Sequence, residues 1–409
     1  MYQVESAAVV LKAPARLRRA RVHVGRTVVL LGVTSLLTDV SAEMVATVLP
    51  LYLLYTVGAS PLALGLVNGL YEGSAALVRL VAGHLGDRTQ RHKEVATVGY
   101  ALSALSKLGL LLAAAAPVVG ALVMVDRTGK GIRTAPRDAL ISLSTPRERL
   151  GTAFGVHRAL DTTGAMLGPF LAFGLLAIAP LAFDAVFAVS FCFALVGLAV
   201  IGLFVRNDHT PAEPAPPASL RGSVGLLRDR RFRAIVGAGG VLSVATVGDA
   251  LLYVVLQRKL DLEPTFFPLL FVGTALVFML FSVPLGQLAD RFGRGKVFAL
   301  GYALLLGVYG LLLAAPTGPL GLVLPLVALG LYYAATDGVL PALASSTVPA
   351  ELRGTGLAVL STATNLGRIV ASVSFGAIWA AAGMDVALAA AACTLGVAAV
   401  IAVVGVRRG

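Results

Sequence analysis

Two carboxylates one helical turn apart, Asp39 and Glu43, sit in a stretch with almost no other charge. Further along, Asp126, Lys130, Arg133 and Arg137 recur at spacings of four, three and four, and Arg158 and Asp161 are three apart. On a helix each set falls on one face. Carboxylates beside guanidinium and ammonium groups can take up and release protons and can hold ionic solutes. Covalent chemistry needs a nucleophile beside a base, and no such set is present. No spacing suits a metal, and no cofactor is expected. Gly129-Lys130-Gly131 lacks the upstream glycine and the strand of a phosphate loop, which rejects that reading. His157, one turn before Asp161, reads as a satisfied helix residue and not a ligand.

The elements that carry these groups are apolar. Of 409 residues, 57% are hydrophobic and 13% charged, about half the charged share of a soluble domain. Mean hydropathy is +0.87. So few charges cannot cover a water-exposed surface of this size, which excludes a soluble enzyme, a disordered chain and a disulfide scaffold. Runs long enough to cross a bilayer fall at roughly 28–53, 62–85, 95–115, 118–141, 151–177 and 180–205, then at roughly 233–257, 265–288, 297–315, 319–345, 353–382 and 384–406. Helices are expected throughout, because lipid cannot satisfy an open backbone and ten-residue alternation is absent. Cys192 and Cys393 lie inside apolar runs and read as packing residues.

Charge outside the spans sets an orientation. With the N-terminus inside, the cytoplasmic segments, counted with the span-edge residues Arg233 and Arg353, carry 23 Lys and Arg, and the opposite loops carry two, Arg258 and Lys259. Both termini are therefore expected in the cytoplasm of a multi-pass protein of the inner membrane. The same asymmetry accounts for the net charge of +12 without any nucleic-acid partner. Residues 1–27 read as a basic tail whose following run is too long for a signal sequence. Residues 206–232, with Pro211, Pro214, Pro216 and Pro217, read as a cytoplasmic linker. It separates a six-helix bundle at 28–205 from a second at 233–409.

The two halves repeat. Gly83, Leu85, Asp87, Arg88, Arg91 and Lys93 recur 203 residues later as Gly286, Leu288, Asp290, Arg291, Arg294 and Lys296. Pro146, Glu148, Gly151 and Thr152 recur at the same offset as Pro349, Glu351, Gly354 and Thr355, and Gly164 recurs as Gly367. A constant offset across separate features implies two pseudo-symmetric six-helix bundles in parallel orientation.

These residues carry a resemblance. Gly83-His-Leu-Gly-Asp87-Arg88-Thr-Gln-Arg91-His-Lys93 and its copy Gly286-Gln-Leu-Ala-Asp290-Arg291-Phe-Gly293-Arg294-Gly-Lys296 resemble the signature loops of the major facilitator superfamily of secondary transporters. The first copy departs by having Gln90 where the family has Gly. The resemblance implies an all-α membrane fold of twelve spans and a cycle in which two halves rock about a central cavity. In that fold each signature loop lies near a helix start in the other half, here near Gly354 and Gly151. A carboxylate there is favoured by the helix dipole, which makes both loops expected gates.

The resemblance also assigns the buried charges. Spans one, four, seven and ten line the cavity in the family fold. Asp39, Glu43, Arg127, Lys130, Arg133, Arg158, Asp161, Asp249 and Asp337 are the expected proton and substrate coupling set. Charge at the centre of a span costs about 2.5–3.5 kcal/mol on insertion scales, so each should face the bundle interior. Ten of the ionisable residues inside spans, Arg137 and Asp138 included, belong to spans one, four and five. Asp39 and Lys130 both come out about 16 Å from the cytoplasmic end of their spans. That matched depth allows an Asp39–Lys130 or an Asp161–Arg133 pair. Arg79 and Lys107 read as structural, and Arg137 and Asp138 as near enough to a span end to reach the interface. Arg127 and Gly131 loosely match the family's span-four arginine motif. Gly164-Ala-Met-Leu-Gly168-Pro169 partly matches its span-five antiporter motif, and also reads as close packing with a proline kink.

Three functions stay open at this point. One is proton-coupled export of a small molecule by a monomer in lipid. A second is uptake of a nutrient, an organic anion or a metal complex. The third is a membrane sensor that has lost transport.

Overall fold

Apolar runs of this length leave the helix as the form that pairs every backbone group internally. The computed structural model describes residues 25–74, 91–146, 149–206, 226–314, 317–349 and 352–408, and among these there is no strand. Helix α1 spans Arg26–Leu51, and a π-turn over Tyr52–Thr56 follows Pro50. A second helix, α2, is described over 61–74. Then come α3 (His92–Leu110), α4 (Ala116–Leu143), α5 (Leu150–Ile178) and α6 (Phe183–Phe204).

The second half begins with two short helices, α7 (Arg230–Val244) and α8 (Asp249–Lys259), where one span was expected. Next are α9 (Phe267–Phe292) and α10 (Arg294–Leu313). The tenth expected span is also divided, into α11 (Gly318–Thr336) and α12 (Val339–Thr347). The chain ends in α13 (Arg353–Ala382) and α14 (Met384–Arg408). Counting α7 with α8 and α11 with α12, the described residues hold nine helical segments long and apolar enough to cross a membrane.

The helices gather into two compact units. Of the described residues, 25–49, 74, 91–146 and 149–206 form the amino-terminal unit, and 50–73, 226–314, 317–349 and 352–408 form the carboxyl-terminal unit. The turn after α1 and the start of α2 therefore pack with the second half of the sequence.

Small residues bring helices together inside each unit. A Cβ on Gly129 of α4 would lie 2.5 Å from the Gly99 carbonyl oxygen of α3. On α5, a Cβ at Gly164 would lie 2.3 Å from the Leu36 carbonyl, and one at Gly168 would lie 2.8 Å from the Val40 carbonyl. Gly367, the repeat of Gly164, holds the matching place in its own unit: its Cβ would lie 2.8 Å from the Gly240 carbonyl of α7. Glycine at these crossings lets backbones approach as side chains would not allow. The stripe Gly65, Gly69 and Gly73 on α2 does the same against Ile369, Ser372 and Gly376 of α13. Cys192 and Cys393 are free and exposed on the protein surface, so neither is the core packing residue its apolar run suggests.

Candidate functional site

In the amino-terminal unit, α1, α4 and α5 bring the predicted charges together. Asp161 accepts a hydrogen bond from Ser35 Oγ at 2.7 Å and pairs with Arg158 at 3.2 Å and Arg137 at 3.8 Å. Arg137 also donates to Ser35 Oγ at 3.1 Å and to Asp138 at 2.9 Å. Asp39 lies 3.8 Å from Arg133, and its carboxyl group neighbours that of Asp161. Arg133 is itself held in place. It donates to Ser103 Oγ at 3.0 Å, and its guanidinium lies 4.8 Å from the centre of the Tyr100 ring, a cation–π contact. Lys130 lies within electrostatic reach of Asp39 and Glu43 but makes no ion pair among the described residues.

One level away, α3 and α4 form a separate knot. Asp126 pairs with Lys107 and accepts from Arg127 Nε at 3.0 Å. Lys107 and Arg127 are buried. A carboxylate between two cations cancels part of the cost of holding all three out of water.

The carboxyl-terminal unit is built differently. Glu72 of α2 pairs with Arg368 of α13 at 3.2 Å. Asp249 opens α8 and accepts a hydrogen bond from the Tyr333 hydroxyl of α11. Asp337 lies at the break between α11 and α12. Neither Asp249 nor Asp337 has a cationic side chain within ion-pair distance among the described residues. The break before Asp249 is closed by a side chain: the buried Tyr309 hydroxyl donates to the Ala245 carbonyl at 2.9 Å and accepts from Val247 N–H at 3.0 Å. Tyr302 and Tyr332 pack edge to face with centroids 5.5 Å apart, and Tyr332 and Tyr333 lie tilted at 4.8 Å.

Buried charge on two internally repeated helical units is the architecture of a solute carrier, and the comparisons with known proteins agree. The model of the Major Facilitator Superfamily matches residues 31–254 and 234–408. The chain belongs to the major facilitator superfamily. An uncharacterized MFS-type transporter of Methanocaldococcus jannaschii is 31% identical over 361 residues, covering 86% of this chain and 88% of the relative. Another, from Mycobacterium tuberculosis, is 26% identical over 366 residues, covering 75% of this chain and 62% of the relative. A crystal structure of a nucleoside transporter superposes with a TM-score of 0.77 at 13% identity, over 93% of this chain and 99% of that one. A POT family transporter in complex with 5-aminolevulinic acid gives 0.76 at 13% identity, over 93% and 95%. The protein is thus a multi-pass membrane transporter of a small-molecule substrate and not an enzyme.

The major facilitator helices change several sequence expectations. Asp39 meets Arg133 and not Lys130, and Asp161 meets Arg158 and Arg137 and not Arg133. The reason is reach: equal depth does not ensure that two side chains face each other, and the Arg137 guanidinium extends across to α1 and α5. Arg137 accordingly belongs to the network, and it pairs there with the half-exposed Asp138. His157 is buried, and its Nε2 has no hydrogen-bond partner, so it is not the satisfied residue expected. Lys107, read as structural, is buried and paired with Asp126. Arg258 stacks on Trp379 at 5.2 Å and Lys259 pairs with Asp385 at 2.5 Å, so the two basic residues of the opposite loops are both engaged.

Of the signature loops, Gly83, Asp87, Arg88 and also Arg79 lie outside the described residues. Arg91 caps α3, and Lys93 donates to the Gly202 carbonyl at 2.9 Å. In the second copy Asp290 pairs with Arg294 at 2.9 Å, and Arg294 also donates to the Ala342 carbonyl at 3.2 Å. Gly293, at a φ of +103°, makes the turn from α9 into α10, a backbone shape that favours glycine. Gly286, Arg291 and Lys296 are not buried. Pro169 is buried within α5 beside Gly168.

Sequence reasoning missed the two breaks. The signals were present: Asp337-Gly338 is a turn dipeptide, and Gly248 immediately precedes Asp249. The Glu72–Arg368 pair is also missed, because 296 residues separate its members and no local pattern links them.

Proposed function

We propose that this transporter exports a small molecule in exchange for protons by alternating access. The observation that carries the reading is the Asp39–Asp161 carboxyl pair, set among Arg133, Arg137 and Arg158. Two neighbouring carboxyl groups with competing arginine partners form a switch: adding one proton frees a guanidinium to regroup, and removing it draws that guanidinium back. The cycle turns only if proton and cargo favour opposite orientations of the two halves. Glu43 and Lys130 face the cargo in this reading, with Arg127 anchoring the far side of α4. Asp249 and Asp337 serve the second half. Gly164, Gly168 and Pro169 supply the close, kinked contact of α5 with α1 that the antiporter motif implies. Arg91, Lys93, Asp290, Arg291, Gly293, Arg294 and Lys296 gate the cytoplasmic side, and the Lys and Arg asymmetry of the loops supports cytoplasmic termini.

A second reading, uptake of an organic anion, draws on Lys130, whose charge has no ion-pair partner among the described residues. Reconstituted liposomes with a trapped pH dye separate the two. Under an imposed pH gradient, a panel of small organic cations and anions is offered to wild type, Asp39→Asn, Glu43→Gln and Asp161→Asn. Export by exchange requires that cargo movement drives protons the opposite way and that Asp39→Asn and Asp161→Asn abolish the link. Coupling that survives in all three variants overturns the assignment, and anion entry that moves protons in the same direction favours uptake.

A further inference from the structure

The break between α7 and α8 holds a cluster of groups to which the exchange reading gives no ligand. Asp249, Tyr253 and Gln257 stand at intervals of four along α8 and share one face of it. All three are buried, at 5%, 1% and 4% exposure. Gln257 spends its amide on the Leu262 carbonyl at 2.7 Å and on the Tyr55 hydroxyl at 3.3 Å. That fixes its orientation and leaves Oε1, an acceptor only, without a partner. The Tyr253 hydroxyl faces Thr274 Oγ1 across on α9, which is at 0% exposure, and neither oxygen has any other hydrogen-bond partner among the described residues. Helix side chains lean toward the N-terminus of their helix, which carries the Tyr253 ring back over the turn of Asp249.

Gln257 Oε1 can only accept, and the Tyr253 and Thr274 hydroxyls, with at most each other as partner, keep lone pairs free. A buried polar atom left unpaired costs about 1–3 kcal/mol, so several on one helix face call for an occupant. The surrounding charge gives its sign. Arg368 is engaged with Glu72, and Asp249 receives only the Tyr333 hydroxyl. A break in a membrane helix is also where transporters of several folds present backbone and carboxylate oxygens to cations.

We propose that Asp249, Tyr253 and Thr274 form a binding site for a compact monovalent cation with oxygen ligands, either Na+ or the primary ammonium group of a cargo, and that Gln257 lines its approach. The inference rests on the transporter reading and gives its second half a ligand class. An ammonium group offers three donors to Asp249, Tyr253 and Thr274, and a bare Na+ takes the same oxygens as ligands.

The test uses the purified full chain in lipid nanodiscs. Thermal unfolding is followed against NaCl, KCl and methylammonium chloride, with ionic strength held constant by choline chloride. The expected result is a melting temperature that rises with Na+ or methylammonium and saturates, as mass action requires. Asp249→Asn removes the rise. Tyr253→Phe and Thr274→Val, both conservative in shape, each weaken the apparent affinity by on the order of tenfold. Asp39→Asn, in the other unit, leaves the rise in place even where it abolishes proton coupling in liposomes, so the two readings fail separately. A rise with Na+ alone assigns a coupling ion, and a rise with methylammonium alone assigns the amine of the cargo. No rise in wild type, or a rise unchanged in Asp249→Asn and Tyr253→Phe, overturns the site.

Discussion

The two units of this transporter carry the same repeat but handle buried charge in opposite ways. In the amino-terminal unit α1 and α4 are unbroken, so their backbones offer nothing to a carboxylate, and guanidinium groups answer Asp39, Asp126 and Asp161. In the carboxyl-terminal unit the equivalents of both helices are interrupted beside an aspartate. There Lys130 is replaced by Tyr333, Arg133 by Thr336 and Arg137 by Leu340, each 203 residues on. Asp249 opens a helix, where the dipole favours a negative charge, and takes a tyrosine hydroxyl in place of an arginine. Duplication conserved the helix crossings, as Gly164 and Gly367 show, while the charge chemistry diverged. A charge network suits regrouping during a cycle, and a broken helix suits a site that holds one ion.

That contrast is broken most severely at Asp39. Asp39→Asn removes the partner of Arg133 and one half of the carboxyl pair, and proton–cargo coupling in liposomes is expected to fall by about a hundredfold. Asp249→Asn is expected to weaken cation binding while proton exchange through the other unit persists. Equal loss of both functions in both variants would mean that the units do not divide the work.

The next largest effect concerns stability. Arg368 and Glu72 are each mostly buried, and Arg368→Ala takes from Glu72 the guanidinium that it pairs with at 3.2 Å. Arg368→Ala is expected to destabilise the protein by about 3–5 kcal/mol. The double variant Arg368→Ala with Glu72→Ala should recover a large part of that loss, as read from thermal unfolding in nanodiscs. In the amino-terminal unit Arg158→Ala should cost far less, because Arg137 still faces Asp161 and Arg158 is itself 41% exposed. A comparable cost for Arg158→Ala would remove the distinction between the buried Glu72–Arg368 contact and the more exposed Arg158–Asp161 contact.

What was legible in the sequence follows from the range of the forces involved. The spans and the repeat were readable because the hydrophobic pattern is local and the 203-residue offset is exact in number. The membership of the Asp39–Asp161 cluster was readable because burying charge is costly, so charges inside spans gather. Partners were not readable. The choice of Arg133 over Lys130 depends on side-chain reach between α4 and α1, which no single-helix pattern contains. The helix breaks fell between these cases: Asp337-Gly338 is a local turn signal, but an apolar run of thirty residues masks it.

The helix crossings themselves give a smaller effect. A methyl at Gly164 or Gly367 meets backbone at 2.3 and 2.8 Å, so Gly164→Ala and Gly367→Ala are each expected to cost about 1–3 kcal/mol. Gly174, on the same helix as Gly164, has open space around its Cβ position, and Gly174→Ala should gain about 0.5–1 kcal/mol from helix propensity. Similar losses at the two equivalent sites would support matched crossings in the two units. A loss at only one would show that duplication has not kept them alike.

The smallest effect isolates the break in the seventh span. Tyr309 closes it by donating to Ala245 and accepting from Val247, and its repeat in the other unit is Ser106, which bonds only to the Ser103 carbonyl of its own helix at 2.8 Å. Tyr309→Phe leaves a buried carbonyl and a buried N–H without that partner and is expected to cost about 1–3 kcal/mol. Ser106→Ala removes a bond that competes weakly within an intact helix and should change stability by less than about 0.5 kcal/mol. Hydrogen exchange by mass spectrometry reads the difference locally. The peptide across Ala245–Asp249 should exchange faster in Tyr309→Phe, while the peptide across Ser103–Lys107 stays protected in Ser106→Ala. If exchange at Ala245–Asp249 is unchanged, the break is held by packing alone, and the tyrosine has no part in keeping Asp249 at the start of its helix.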